Sequence, residues 1–135
     1  MPTDGPTFYP VLHYRDARAA IDWLERAFGF ERLAVHPDDG APVVHAELGF
    51  GTGIVMLTTM EADHAALPKA RYNAPYVYVA DPDAHHAHAV AAGAEITRDL
   101  QDTSYGSREY IARDPEGNEW SFGTYRPVPA RSAQI

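Results

Sequence analysis

The chain has no cysteine among its 135 residues, and acidic residues outnumber basic ones. The lack of cysteine excludes a disulfide framework, a thiolate zinc site and a cysteine nucleophile, and it fits a reducing cytoplasm. With 11 Lys and Arg against 19 Asp and Glu, the formal net charge is −8. An acidic surface repels nucleic acid and anionic lipid, so we expect neither as a partner. No apolar run approaches the ~18 residues of a membrane-spanning helix, so no membrane association is expected.

The same pattern occurs twice along the chain. Residues 8–31, FYPVLHYRDARAAIDWLERAFGFE, predict a strand and then a helix that Asp16 opens. Residues 74–96, APYVYVADPDAHHAHAVAAGAEI, predict the same order, with Asp81 as the helix N-cap. A hairpin follows each helix. An internal repeat of this length indicates two copies of one supersecondary unit.

We therefore predict an α+β fold built from two tandem βαβββ modules. The chain, residues 1–135, forms one domain. Module one is expected at about 7–60, a linker at 61–73, module two at about 74–126 and a flexible tail at 127–135. Each sheet would pack its helix against one face, and the two free faces would enclose a cleft.

The alternation of side chains along each strand predicts which residues face this cleft. In the first hairpin, a two-residue turn at Gly51-Thr52 would place Glu47 opposite Met56. The surface is rich in aromatic side chains with a few polar groups, as small-molecule sites are. The predicted ligand-binding residues are Tyr9, His13, His45, Glu47, Met56, Thr58, Tyr76, Tyr78, Tyr105 and Ser121.

Two features of the helices suggest other contacts. The second helix carries His85, His86 and His88, and we expect neutral histidines on a solvated face there, not metal ligands. In the first helix, Trp23 lies off the apolar stripe, which indicates a contact with a subunit partner.

The duplicated module and the segments YRDARAAIDWLERAFGF, HAELGFGTGIVML and RDPEGNEWSFGTY resemble the vicinal oxygen chelate superfamily. The resemblance is to its glyoxalase, bleomycin-resistance and PhnB-like branch, and it covers residues 8–126. It implies a curved sheet around a cleft, helices on the outer face and a homodimer. The superfamily spans lyases, isomerases, dioxygenases and antibiotic-binding proteins, so the fold does not determine the function.

Metal-dependent members, as the resemblance implies, hold their metal with four strand residues, which are His, Gln or Glu. Carried over by motif, these positions fall on Tyr9, Met56, Ala74 (Asn73 in a register moved by one) and Ser121. Tyr, Met, Ala and Ser do not form a hard-cation site of the His and carboxylate type. We therefore predict no metal and no other cofactor.

The leading interpretation is a metal-free protein that binds and sequesters a small molecule, as in antibiotic resistance. The ligand would be aromatic, and the acidic surface would favour a cationic one. Tyr9, Tyr76 and Tyr78 would stack on it, Glu47 would anchor its positive charge, and Tyr105 would close as a lid.

The alternative is a lyase, isomerase or dioxygenase. A relocated metal could be bound by His13, His45 and Glu47, since His and carboxylate ligands suit zinc or iron(II). Metal-free acid–base catalysis would instead use a buried Glu47 paired with His45 or Tyr9, so Glu47 and His45 are the catalytic candidates. A third interpretation is that the dimer interface, and not the cleft, carries the function.

Overall fold

The computed structural model describes residues 6, 8–60 and 73–127, and these fold as two copies of one βαβββ unit. The predicted linker other than Asn73, and the predicted tail other than Pro127, lie outside the described residues. The α+β class with tandem modules is thus confirmed. The elements are β1 (Val11–Tyr14), α1 (Ala17–Phe28), β2 (Glu31–His36), β3 (His45–Phe50), β4 (Gly53–Thr59), β5 (Tyr76–Tyr78), α2 (Pro82–Ala91), β6 (Glu95–Asp102), β7 (Arg108–Arg113) and β8 (Glu119–Gly123).

Each module contributes one four-stranded sheet of the same topology. The strand order is β1-β4-β3-β2 in the first sheet and β5-β8-β7-β6 in the second. The first strand of each module runs parallel to the last strand, and the other pairs are antiparallel. Glu47 stands opposite Met56, so the predicted register of the first hairpin is confirmed.

The helix α1 begins and ends where its sequence predicts. The side chain of Asp16 accepts a hydrogen bond from the amide of Ala19 at 3.0 Å, and Gly29 ends the helix with a left-handed φ of 84°. The predicted apolar stripe is buried. Trp23 is half-buried within the chain, where its ring packs edge-on against Phe28 at 4.8 Å between centroids. Its predicted contact with a subunit stays a prediction. Among the described residues, no helix has the length and apolarity to cross a membrane.

One hydrophobic core spans both modules. The ring of Phe28, at the end of α1, lies 5.8 Å from Trp120 and 4.8 Å from Phe122, both on β8 of module two. Trp120 and Phe122 are fully buried, as the alternation along that strand predicts. Because a helix of module one packs on a strand of module two, neither module has a complete core of its own.

A buried carboxylate joins the modules beneath this core. Asp114, 3% exposed, accepts hydrogen bonds from the hydroxyl of Tyr14 at 2.6 Å and from the indole Nε1 of Trp120 at 3.1 Å. It also accepts from the backbone amides of Glu116 at 3.0 Å and Asn118 at 3.1 Å. Burial, followed by the charge of Asp114, raises the pKa of Tyr14 well above its ordinary value, so this phenol remains a donor.

Side chains of module two also bind both ends of α1. At the N-terminal end, the carboxylate of Glu116 accepts from the amides of Arg15 and Asp16 at 2.7 and 2.8 Å. At the C-terminal end, His85 donates to the carbonyl of Phe28 at 2.8 Å, and His88 donates to that of Arg26 at 2.9 Å. These are the backbone groups that a helix leaves without partners at its ends.

Candidate functional site

A groove lies between the two modules and is the main candidate for a functional site. Its volume is about 880 Å³, within the range of small-molecule sites. The turn between β3 and β4 forms one side, and β5 with the start of α2 forms the other. We call it the intermodule groove, and its aromatic walls are Phe8, Phe30, Phe50, Tyr76, Tyr78 and Trp120.

The tyrosines of β5 line this groove together with Val77 and Val79, because β5 is the edge strand of the second sheet. Val77 and Val79 pack toward the core, which leaves Tyr76 and Tyr78 on the opposite face. The hydroxyl of Tyr76 donates to the carbonyl of Tyr125 at 2.6 Å, which fixes the direction of its ring. The guanidinium of Arg126 lies 4.4 Å from the centroid of the Tyr78 ring, a cation–π contact.

Two polar residues of the groove, Asp81 and His85, already have structural roles. Asp81 caps α2 by accepting from the amide of Ala84 at 3.1 Å. His85 uses both ring nitrogens, Nε2 toward the carbonyl of Phe28 and Nδ1 toward the hydroxyl of Tyr110 at 2.6 Å. A carbonyl can only accept, so Nε2 carries the proton and Nδ1 accepts from Tyr110. The described part of the groove therefore offers stacking surface and no acid–base pair.

This arrangement corrects the expectation for His85, whereas His88 is exposed as expected. His85 is half-buried and in contact with the core, not on a solvated face. His86 contacts Asp99 at 2.9 Å, and His88 bonds to α1. The sequence of α2 is alanine-rich and shows no clear apolar stripe. It therefore did not predict that the helix turn carrying His85 packs against α1.

The state of His85 predicts a pH dependence of stability. Burial lowers the pKa of His85 from its ordinary value of 6.5. As pH falls through that value, the unfolded chain binds a proton more readily than the folded chain, so stability decreases below about pH 6.5. We expect the free energy of unfolding in urea to drop between about pH 7.5 and about pH 5.5, and to drop less in His85→Gln, which keeps a donor and an acceptor.

The matched control for this prediction is His13→Gln, because His13 is exposed. It should show the same pH dependence as the unmodified protein. An equal drop in the His85 and His13 variants would contradict the role of His85.

A buried carboxylate that the sequence reasoning missed lies near Tyr76, which lines the groove. Glu109 on β7 is 7% exposed and stands opposite Gly123. Both of its carboxylate oxygens accept from the hydroxyl of Tyr105, at 3.1 and 3.0 Å, and Arg98 lies 3.8 Å from one of them. The hydrogen bond to Glu109 raises the pKa of Tyr105, so its phenol remains neutral. The available signal was the alternation along β7, which places Tyr110 and Ala112 inside and Glu109 on the other face.

The predicted polar residues of module one lie on the first sheet. His45 Nε2 is 2.9 Å from Glu47 Oε2, and the ring of His36 stacks at 6.3 Å from that of His45. His13 pairs with Thr58 on the neighbouring strands. The Glu47 side chain is 40% exposed, so the expectation that it is buried is wrong. A strand position shows which face a side chain takes, but not how deeply that face is covered.

The ten predicted ligand-binding residues form two groups, one on each sheet. Tyr9, His13, His45, Glu47, Met56 and Thr58 belong to module one, and Tyr76, Tyr78, Tyr105 and Ser121 belong to module two. Across the described ranges, no hydrogen bond or ring contact joins one group to the other. Of the ten, the intermodule groove contains Tyr76 and Tyr78.

A second cavity, of about 780 Å³, lies near the turn at residues 114–117. Its charged residues include Arg113, which already pairs with Glu95 at 3.2 Å and Glu119 at 3.0 Å. Asp114 at its floor is engaged in the buried network described above. The walls are therefore structural, and the intermodule groove is the better candidate.

Comparison with known proteins identifies the family. A profile of the Glyoxalase/Bleomycin resistance protein/Dioxygenase superfamily matches residues 9–122. The chain belongs to this superfamily. This confirms the resemblance inferred from the repeated module and its motifs.

Individual relatives in the superfamily agree with this assignment. Uncharacterized protein Mb0911c of Mycobacterium bovis is 31% identical over 125 residues, which cover 87% of this chain and 82% of that protein. The crystal structure of TioX from Micromonospora sp. ML1 has 35% identity and a TM-score of 0.75, and the match covers 93% of this chain and 100% of TioX. The bleomycin-binding protein of Streptomyces verticillus, solved with copper(II)-bleomycin, has 24% identity and a TM-score of 0.67, with 93% and 99% covered.

The superfamily's metal does not fit the residues of this chain. The four positions carried over from metal-dependent members hold Tyr9, Met56, Ala74 and Ser121, which supply no imidazole and no carboxylate. Elsewhere in the described residues, no three His, Asp or Glu side chains come together in a metal-binding group. The relocated site at His13, His45 and Glu47 therefore lacks the geometry it would need, although His45 and Glu47 do touch.

Proposed function

We propose that this protein binds a small, partly aromatic molecule in the intermodule groove and sequesters it without changing it chemically. The observation that carries the proposal is the chemistry of the groove: aromatic walls, and polar residues already engaged in holding the fold. A dissociation constant of 1 μM corresponds to about −8 kcal/mol, which is the surplus that apolar burial and stacking must leave after the cost of association. The homodimer and the cytoplasmic location expected from the sequence are part of this proposal.

A solved neighbour supports the choice of ligand class. The Streptomyces verticillus protein binds copper(II)-bleomycin, a large natural product, on the same fold. At 24% identity this likeness concerns the fold alone. An antibiotic or a related natural product is accordingly the first ligand class to screen by thermal shift.

The stacking role of β5 can be tested directly. We expect Tyr76→Ala and Tyr78→Ala each to weaken a flat aromatic ligand found in that screen by about tenfold, because an aromatic contact contributes about 0.5–1.5 kcal/mol beyond the area it buries. Affinity is measured by fluorescence titration. Tyr76→Phe and Tyr78→Phe keep the rings and should bind nearly normally.

The control for this test is Val44→Ala, since Val44 is 71% exposed and lies outside the groove. It should leave affinity unchanged. Normal binding by both alanine variants would place the ligand elsewhere and remove the support for the proposal.

The proposal that the protein binds its ligand without a metal is tested by elemental analysis. Elemental analysis of protein purified without chelator and without a histidine tag should find divalent metal at background levels, because the carried-over positions lack suitable donors. A near-stoichiometric metal content would contradict the proposal.

The contact between His45 and Glu47 favours one second candidate, acid–base catalysis on the first sheet. In that case a product should form from the bound ligand, and the His45→Gln variant should abolish turnover without loss of binding. Mass spectrometry of the ligand after prolonged incubation distinguishes turnover from sequestration.

A further inference from the structure

We infer that Glu109 is the group that recognises a positively charged nitrogen on the ligand, an ammonium or a guanidinium. This inference rests on the proposed function and names the ligand class of the same site. It differs from the expectation that Glu47 is the anchor. The argument depends on how Glu109 is seated, on what already surrounds it and on its position beside Tyr76.

The fold makes a specific space for the Glu109 side chain. A Cβ on Gly123 would stand 2.5 Å from Glu109 Cγ and 2.9 Å from the hydroxyl oxygen of Tyr76. Such approaches are closer than carbon atoms tolerate, so the side chain lies over Gly123 only because that residue has no side chain. The carboxylate is thereby held low on the sheet surface, at 7% exposure.

The carboxylate has acceptor capacity left over. Tyr105 donates to both oxygens, and an ionised carboxylate has about four acceptor positions in all. A buried carboxylate is stabilised best by a cation at hydrogen-bond distance. Tyr105 is a neutral donor and does not supply the positive charge.

Arg98 shows where such a cation would approach. Its Nη2 lies 3.8 Å from Glu109 Oε1, beyond hydrogen-bond range, and its side chain is 45% exposed. It is a positive charge held near the carboxylate by a long contact. A ligand cation can therefore take this direction as Arg98 moves into solvent.

Tyr76 links Glu109 to the intermodule groove. Its side chain lines the groove, and its hydroxyl lies on the same side of Gly123 as the Glu109 side chain. A ligand whose aromatic part stacks on Tyr76 would therefore direct a short cationic arm to Glu109. Glu47 differs because it is 40% exposed and lies on the first sheet, whereas Glu109 and Tyr76 both lie on the second.

The test uses two probes that share one ring system. 2-Naphthylmethylamine is an ammonium ion near neutral pH, and 2-naphthylmethanol is its neutral counterpart. We expect the unmodified protein to bind the amine about tenfold more tightly, because hydrogen bonds to charged groups are the stronger class. Glu109→Gln should remove this preference while the alcohol binds as before. Glu31→Gln, the matched control at an exposed strand position, should retain it, and Glu47→Gln tests the rival anchor.

A second variant keeps the test decisive if Glu109→Gln does not fold. Arg98→Ala removes the competing cation, so it should tighten the amine by a few fold and leave the alcohol unchanged. Equal binding of both probes by the unmodified protein would overturn the inference and leave the proposed function standing. The inference would also be overturned if Glu47→Gln lost the preference for the amine while Glu109→Gln kept it. The proposed function would again stand. Failure of both probes to bind would count against the proposed function itself.

Discussion

Replacing Asp114 by alanine is expected to destabilise the protein by about 3–5 kcal/mol, since several buried donors would lose their acceptor at once. The hydroxyl of Tyr14 and the indole N–H of Trp120 would be left in the core, both fully buried. The turn that Asp114 closes through the amides of Glu116 and Asn118 would also loosen. Urea unfolding monitored by tryptophan fluorescence measures the difference.

Two further variants serve as controls for the Asp114→Ala substitution. Asp38→Ala, at an exposed position, should change stability by no more than about 0.5 kcal/mol. Asp114→Asn keeps one acceptor oxygen and should fall between the two. If Asp114→Ala were as stable as Asp38→Ala, the network would not hold the modules together.

Replacing Gly123 by alanine is expected to destabilise the protein by about 1–3 kcal/mol and to abolish the preference for the amine probe. The new methyl group would meet Glu109 Cγ at 2.5 Å, a mid-chain atom that cannot turn away without moving the carboxylate. The backbone at Gly123 has no left-handed φ, so the effect comes from contact alone. Unfolding and probe titration on the same preparation separate the two effects.

Gly53→Ala is the matched control for this substitution. It too lies on a strand without a left-handed φ, and its new Cβ would come no closer than 3.5 Å to the carbonyl oxygen of Phe50. Its stability should stay near that of the unmodified protein, and because Gly53 lines the intermodule groove the comparison is made on stability alone. Equal stability of the two alanine variants would show that Glu109 needs no space at Gly123.

Much of the fold could be predicted because its signals are local. Asp16 and Asp81 cap their helices through side-chain bonds to amides three residues ahead, and such bonds depend only on neighbouring sequence. The pairing of Glu47 with Met56 follows from a two-residue turn. The burial of Trp120 and Phe122 follows from the alternation of a strand.

The site was harder to predict because it depends on contacts between distant segments. The alternation along a strand predicts on which face of the sheet a side chain lies. It does not predict how the two sheets are placed relative to each other, because that depends on tertiary packing. For this reason Tyr76 and Tyr78 lie in the groove while Glu47 lies on the other sheet. Glu109 escaped notice because carboxylates are rarely buried, and its burial depends on a glycine on the next strand.

The bonds from module two to both ends of α1 make the repeated halves unequal. Glu116, His85 and His88 of module two complete a helix of module one, whereas α2 is capped at its start by its own Asp81. Residues 1–60 expressed as a fragment would therefore carry an unfinished helix, and supplying the other fragment in trans should restore it. The two modules still share one topology, but module one depends on module two to complete its helix.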